Sequence, residues 1–278
     1  MISQSQILLT DRVAIVTGGA AGIGKGIALG LASFGARVAI IDKDEPTGRS
    51  TAAELSGLGA GGLFLLADVM DRQALRDAIS AVDAEFGRID ILVNNAGGVR
   101  HQKFLDMSER SIDRHIELNL ASVLIGTQEA ARIMIREGRG GAIVNVNSTE
   151  GLRGGPLVSV YAACKAAMHS FTASMALELG QDGIRVNGIA PDQCPTEGTG
   201  GHMTSLDGML PFDHPAVARY VPLDRTGTVD DCAGACVFLA SDMASYITGV
   251  TLPVEGGTLA AAGWNRNRNN AWTLYADA

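Results

Sequence analysis

The sequence predicts a doubly wound α/β domain built on a parallel sheet. Three observations carry that prediction. Short apolar runs alternate with longer segments of helical periodicity along most of the 278 residues. The runs are apolar throughout rather than alternating with polar residues, as strands covered on both faces require. No linker-like stretch interrupts the middle of the chain, so 1–278 reads as one domain.

The elements follow in order. Residues 13–17 (VAIVT) give the first strand and 23–34 the helix after it. Residues 37–41 give the second strand, followed by a helix over 46–58. Residues 63–66 are the third strand. Over 72–86, Leu75, Ile79, Val82 and Phe86 recur on one side of a helix. Residues 91–93 are the fourth strand, and a long helical region runs from about 108 to 136. Residues 142–146 are the fifth strand, 158–179 a helix and 185–189 the sixth strand. A helix over 230–239 and a last strand over 251–254 complete the series. With right-handed crossovers, seven such strands make one parallel sheet.

Two segments break the alternation. Residues 191–221 are rich in Gly, Pro, Asp and Met, and a loop of that length suggests a lid. Its Met203, Met209, Leu210 and Phe212 would suit a bulky apolar substrate, and His202 and His214 are candidates for substrate contact. A C-terminal extension covers 258–278. Its end, GWNRNRNNAWTLYADA, is polar yet carries Trp264, Trp272, Leu274 and Tyr275.

Composition narrows the function classes. The net charge is −8, which disfavours general nucleic-acid binding. Cys164, Cys194, Cys232 and Cys236 form no CxxC pair. They read as buried thiols rather than metal ligands, in a reducing compartment. The five histidines are scattered and read as surface or lid residues, so no metal site is expected. MISQSQILLT lacks the pattern of a signal peptide, and no run has the length of a membrane span. The expectation is a cytoplasmic protein acting on a small molecule, with neither nucleic acid nor membrane as partner.

The first strand runs into Thr17-Gly18-Gly19-Ala20-Ala21-Gly22-Ile23-Gly24. Glycines there permit a sharp turn and close approach of backbone to a pyrophosphate at a helix N-terminus. Asp42 ends the second strand, 24 positions after Gly18. A carboxylate at that place suits a ribose 2′-hydroxyl and repels a 2′-phosphate, which points to NAD rather than NADP.

Further motifs stand in order: Asp68-Val69, Asn94-Asn95-Ala96-Gly97, Asn119, Ser148, Tyr161-Ala162-Ala163-Cys164-Lys165 and Glu255-Gly256-Gly257. From about residue 11 to 257 the chain resembles the short-chain dehydrogenase/reductases. That resemblance implies a single-domain Rossmann fold and a hydride exchanged between NAD(H) and a secondary alcohol or ketone. It implies Asn119, Ser148, Tyr161 and Lys165 as catalytic residues. It also implies a cofactor site of Gly18, Gly22, Ile23, Gly24, Asp42, Asp68, Val69, Asn95, Ala96, Gly97, Tyr161, Lys165, Pro191, Cys194 and Thr196, and assembly as a homotetramer. The family usually has Pro-Gly after the sixth strand. Here Pro191-Asp192 stands instead, and Asp resists dihedrals that Gly accepts.

Tyr161 and Lys165 lie four apart and so share a helix face. A free tyrosine titrates at about 10 and is a poor base at neutral pH. The Lys165 ammonium and a positive nicotinamide ring would favour its phenolate, which then takes the alcohol proton. Ser148 would hold the substrate oxygen. By resemblance, Asn119 would support a water chain to Lys165. Gly98, Val99, Arg100, Glu150, Leu152 and Arg153 are candidate cleft residues, and Arg100 or Arg153 could bind a carboxylate. Two other readings stay open: a 3-oxoacyl thioester reductase, and a non-catalytic NAD-binding scaffold on the same fold. The first usually takes NADPH, which Asp42 opposes; the intact Asn, Ser, Tyr and Lys set opposes the second.

Overall fold

A computed structural model describes residues 2–59, 61–196, 202–205, 208–211 and 215–274. Its strands are β1 (Val13–Thr17), β2 (Arg37–Asp42), β3 (Leu63–Leu66), β4 (Ile91–Asn94), β5 (Gly141–Val146) and β6 (Ile184–Pro191). β7 (His202–Ser205) and β8 (Gly208–Pro211) form a separate antiparallel hairpin, and β9 (Thr251–Val254) returns to the main sheet. The main sheet has the order β3-β2-β1-β4-β5-β6-β9, parallel throughout. All seven expected strands are present. β6 runs on to Pro191 because its last four residues pair with β9. The chain crosses over between β1 and β4, and the crevice at the carboxyl ends of those strands is where such sheets bind ligands.

The period of two divides the strand side chains between two cores. Ala14, Val16, Val38 and Ile40 pack with Ile27 and Leu31 of α1 (Gly22–Ser33). α2 (Glu45–Gly57) adds Ala52 and Leu55 to that side. On the other face Val13, Ile15, Ala39 and Ile41 meet Leu75, Ile79 and Val82 of α3 (Arg72–Phe86). Complete burial of each Leu or Ile contributes roughly 1.5–3 kcal/mol. The expected long helix is two helices, α4 (Glu109–Ile116) and α5 (Ser122–Glu137), joined by a π turn over Glu117–Ala121. α6 (Ser159–Glu178), α7 (Pro215–Tyr220), α8 (Val229–Ala240) and α9 (Thr258–Ala261) complete the helices. Cys232, Cys236 and Val237 of α8 close the first core.

Cys164, Cys232 and Cys236 are buried free thiols, and Cys194 is half-buried. His101 is exposed as expected, whereas His115 and His169 depart from expectation. His115 is buried at the end of α4, where Nδ1 lies 2.7 Å from the Ser111 carbonyl oxygen. His169 is half-buried beside Thr251 at 2.9 Å. Of the expected lid, Phe212 and His214 lie outside the described residues, as do the side chains of His202, Met203, Met209 and Leu210. Tyr275 in the tail lies outside them too. Up to residue 274 the tail is folded: β10 (Asn265–Arg266) pairs antiparallel with β11 (Trp272–Thr273). Arg266 Nη2 donates to the Val221 carbonyl and to Asp224, both at 3.0 Å, and its guanidinium stacks 5.8 Å from the Trp272 ring.

Candidate active site

A cleft of about 1030 Å³ opens above the carboxyl ends of the central strands. β1 delivers the glycine loop to its floor. Gly18 and Gly22 hold φ of +63° and +56°, which side chains rarely adopt. A Cβ on Gly24 would lie 2.1 Å from the Gly18 carbonyl oxygen, so only glycine lets the helix start so close to the loop. Ala21 at the N-cap offers α1 no side-chain cap, and the first residues of the helix, Gly22, Ile23 and Gly24, line the cleft. Thr17 ties the loop to β4: its Oγ1 accepts from the amides of Asn95 (3.0 Å) and Ala96 (3.1 Å). Asn95 Nδ2 donates in return to the carbonyls of Thr17 and Gly18. Asp42, the last residue of β2, accepts from the Ala20 and Asp44 amides, both at 3.1 Å. The loop and the carboxylate are thereby one rigid unit. Asp68 and Val69 line the same cleft beyond β3, as do Ile23, Ala96, Gly97, Pro191, Cys194 and Thr196.

A second group gathers where β4, β5 and α6 meet. Asn119 is fully buried within the π turn. Its Nδ2 donates to the carbonyls of Gly98 and His115, and its Oδ1 accepts from the Gly98 amide, all at 3.0 Å. Lys165 is buried, and its Nζ donates to the Val146 carbonyl at 2.7 Å. That Nζ stands 5.6 Å from the Tyr161 ring centre. Gly97 lies between them: a Cβ there would be 3.0 Å from Asn119 Oδ1 and 3.7 Å from Lys165 Nζ. Ser148 Oγ accepts from the Glu150 amide at 3.2 Å, and its hydroxyl favours ionisation of the Tyr161 phenol.

Burial drives both titrating groups toward their neutral forms. It pushes Tyr161 up to about 12, against the opposing hydrogen bond from Ser148. It brings Lys165 down to about 8. The expected attraction between ammonium and phenolate is outweighed by desolvation, the larger effect on both groups in the protein alone.

Four expectations change on the structure. Arg100 and Leu152 are not among the cleft-lining residues, whereas Gly98, Val99, Glu150 and Arg153 are. Arg153 is no free cation, because it is engaged by Glu150, Asp192 and Tyr220. Asp192 fits without taking a left-handed dihedral, which falls on Gln193 at φ +46°. And the site has a foundation that the sequence reading missed. Asn94 Nδ2 donates to Thr127 Oγ1 (3.0 Å) and Asn145 Oδ1 (2.9 Å), and Asn145 Nδ2 donates to Thr172 Oγ1 (2.9 Å). Four buried polar residues, Asn94 and Asn145 near the ends of adjacent strands and Thr127 and Thr172 on the helices packed beside them, are the signal that could have revealed it.

A family model described as enoyl-(acyl carrier protein) reductase matches residues 18–258. The chain is 41% identical over 251 residues to 3-oxoacyl-[acyl-carrier-protein] reductase FabG of Chlamydia muridarum, covering 90% of this chain and 98% of that protein. It is 38% identical over 252 residues to an L-rhamnose 1-dehydrogenase (NAD(P)(+)) of a Sphingomonas strain, covering 90% and 97%. The fold matches a 7α-hydroxysteroid dehydrogenase solved with NADH and 7-oxo glycochenodeoxycholic acid, with a TM-score of 0.85. That match is 33% identical and covers 92% of this chain and 98% of that chain. The fold and site thus define a Rossmann-fold oxidoreductase. The chain belongs to the short-chain dehydrogenase/reductase family.

Proposed function

We propose that the protein exchanges a hydride between NAD(H) and a secondary alcohol or ketone, with Tyr161 as the general acid and base. The observation that carries this reading is the convergence of Ser148, Tyr161 and Lys165 on the cleft that the glycine loop also lines, with Asn119 buried beside them across Gly97. The cofactor fits the residues present. The start of α1 offers backbone donors to a pyrophosphate, and Gly18, Gly22 and Gly24 let the loop fold tightly against the helix and β4 beneath it. Asp42, Asp68 and Val69 would hold the adenosine half, and Tyr161, Lys165, Pro191, Cys194 and Thr196 the nicotinamide half. Bound there, the nicotinamide supplies the hydride acceptor or donor and, when oxidised, a positive charge.

The chain's own residues do the rest. Ser148 holds the substrate oxygen beside the Tyr161 hydroxyl. In oxidation Tyr161 takes the hydroxyl proton; in reduction it returns one to the carbonyl oxygen. Lys165, fixed by Val146, stabilises the phenolate through space. Asn119 holds the 98–115 backbone open beside Lys165, where water can carry the proton onward. Asp42 would repel a 2′-phosphate, which supports NAD over NADP.

A second reading, reduction of 3-oxoacyl thioesters, is favoured by the 41% identity to the FabG protein. The disfavour of Asp42 for NADPH weighs against it. A cytoplasmic homotetramer completes the proposal. The free thiols support a reducing compartment, and among the described residues no helix is long and apolar enough to cross a membrane. The exposed apolar Leu177, Tyr246, Val250 and Leu252 near the β9 edge support an interface there. The test is a panel of secondary alcohols with NAD⁺ and ketones with NADH, followed at the nicotinamide absorbance band. Turnover is expected with at least one class. Turnover with acyl thioesters alone, and with NADPH, would transfer the assignment to the second reading.

A further inference from the structure

Four side chains form one polar frame on the cleft wall beside Ser148 and Tyr161. Glu150 and Arg153 come from the short turn after Ser148, Asp192 from the end of β6 and Tyr220 from the end of α7. Arg153 is the hub. Its Nε and Nη2 donate to Glu150 Oε1 at 3.2 and 2.8 Å, its Nη2 also to Asp192 Oδ2 at 3.0 Å, and its Nη1 to the Tyr220 hydroxyl at 2.8 Å. Thr258 Oγ1 donates to the same Asp192 oxygen at 2.8 Å. Side-chain exposure falls from 27% at Arg153 and 22% at Glu150 to 9% at Asp192, so the frame is held rather than solvated. Gly155 makes room for it: a Cβ there would lie 2.3 Å from Glu150 Oε2.

The frame spends the arginine and leaves other groups to a ligand. Two carboxylates against one guanidinium give the wall a charge of −1. Among the described residues, Glu150 Oε2 accepts no hydrogen bond. The Tyr220 hydroxyl accepts from Arg153, so its own proton remains to be donated. Glu150 and Tyr220 thus line the cleft with one charged acceptor and one donor uncommitted, on a mount held by Arg153. A hydroxyl beside the reacting carbon could donate to Glu150 and accept from Tyr220. An anionic substituent would meet net negative charge. An alkyl chain would desolvate the carboxylates and return no hydrogen bond. The relatives span a sugar, an acyl thioester and a steroid, so the wall's own chemistry must decide among such classes.

We infer that Glu150 and Tyr220, clamped by Arg153, are specificity-determining residues that select a neutral polyhydroxylated substrate, a sugar or polyol with a hydroxyl next to the reacting carbon. This rests on the dehydrogenase reading above and narrows its substrate class.

The test uses the full-length protein with NAD⁺ and three panels: pentitols, hexitols and neutral aldoses; aldonates; and 2-alkanols from four to eight carbons. The best kcat/KM is expected in the neutral polyhydroxylated panel, at least tenfold above the best member of either other panel. Glu150→Gln and Tyr220→Phe are each expected to lower the ratio of kcat/KM for that substrate to kcat/KM for 2-butanol by tenfold or more, chiefly through KM. Tyr220→Phe keeps the ring, so it serves if the Glu150 variant fails to fold. A best substrate among the aldonates or alkanols, or a ratio that changes less than tenfold in a folded variant, overturns the inference. Turnover of alkanols alone sinks only this inference and leaves the dehydrogenase reading standing. No NAD⁺-dependent turnover in any panel, with none by ketones and NADH, overturns both.

Discussion

Burial sets the resting state of the two residues on which the chemistry turns. With Tyr161 raised to about 12 and Lys165 lowered to about 8, the protein alone favours the neutral phenol and weakens the ammonium. A bound positive ring would shift the balance toward phenolate, so the base would form when the cofactor is present to use it. Alcohol oxidation should therefore quicken as pH rises from 7 to 10; a rate that falls over that range in a stable protein would count against Tyr161 as the base. The same values fix stability. Lys165 titrates below its ordinary 10.5 in the fold, so its contribution is present above about 10.5 and is lost as pH falls through about 8. Lys165→Met removes this, and the melting temperature of the natural protein relative to the variant should improve between pH 8 and 10. No change in that difference would mean that the ammonium is not desolvated. At Asp42 the prediction concerns the cofactor. Asp42→Ala should shrink the preference for NAD over NADP by about tenfold or more, roughly 1.4 kcal/mol of discrimination. Equal or better kinetics with NADP in the natural protein would contradict it.

At the scale of elements, the C-terminal hairpin is a brace. Arg266 joins it to the residues just after α7, and α7 carries Tyr220 into the cleft. Truncation after Ala262 removes those bonds. Taking roughly 1–2 kcal/mol for them, a chain of this size should melt about 2–8 °C lower. An unchanged melting temperature would show that the hairpin contributes nothing structural. Hydrogen exchange over α7 is expected to slow when NAD(H) and substrate bind, because Tyr220 lines the cleft; slow exchange that does not respond would contradict a lid. Much of this architecture was legible in the sequence. Apolar runs gave every strand of the main sheet, because strands buried on both faces carry their burial in their composition. Motif residues 148, 161 and 165 fell at the cleft for the same reason: they sit on the ends of regular elements. What was not legible depends on tertiary contact. The π turn at Glu117–Ala121 obeys no period that a helical pattern distinguishes, yet it is where Asn119 turns inward. Arg153 looked like a loop cation because its partners, Asp192 and Tyr220, lie 39 and 67 positions away. The hairpin of the tail, with two residues per strand, is too short to leave a periodic signature.

For the whole molecule, the proposed assembly and the proposed chemistry can be tested separately. A homotetramer of a 28.9 kDa chain has a mass of about 116 kDa, which light scattering reads directly. A monomer in solution would refute the assembly and leave the active-site reading intact. The chemistry has a more direct test. Tyr161→Phe deletes one oxygen and keeps the ring, so the cleft should hold its shape and NADH should bind with a Kd within about tenfold of the natural protein, because a volume-conserving swap costs less than about 1.5 kcal/mol. Turnover of the best alcohol should fall by about 10²–10⁴, the contribution of a positioned acid and base. Substantial turnover by the variant, with cofactor binding preserved, would show that another group moves the proton and would contradict the central assignment.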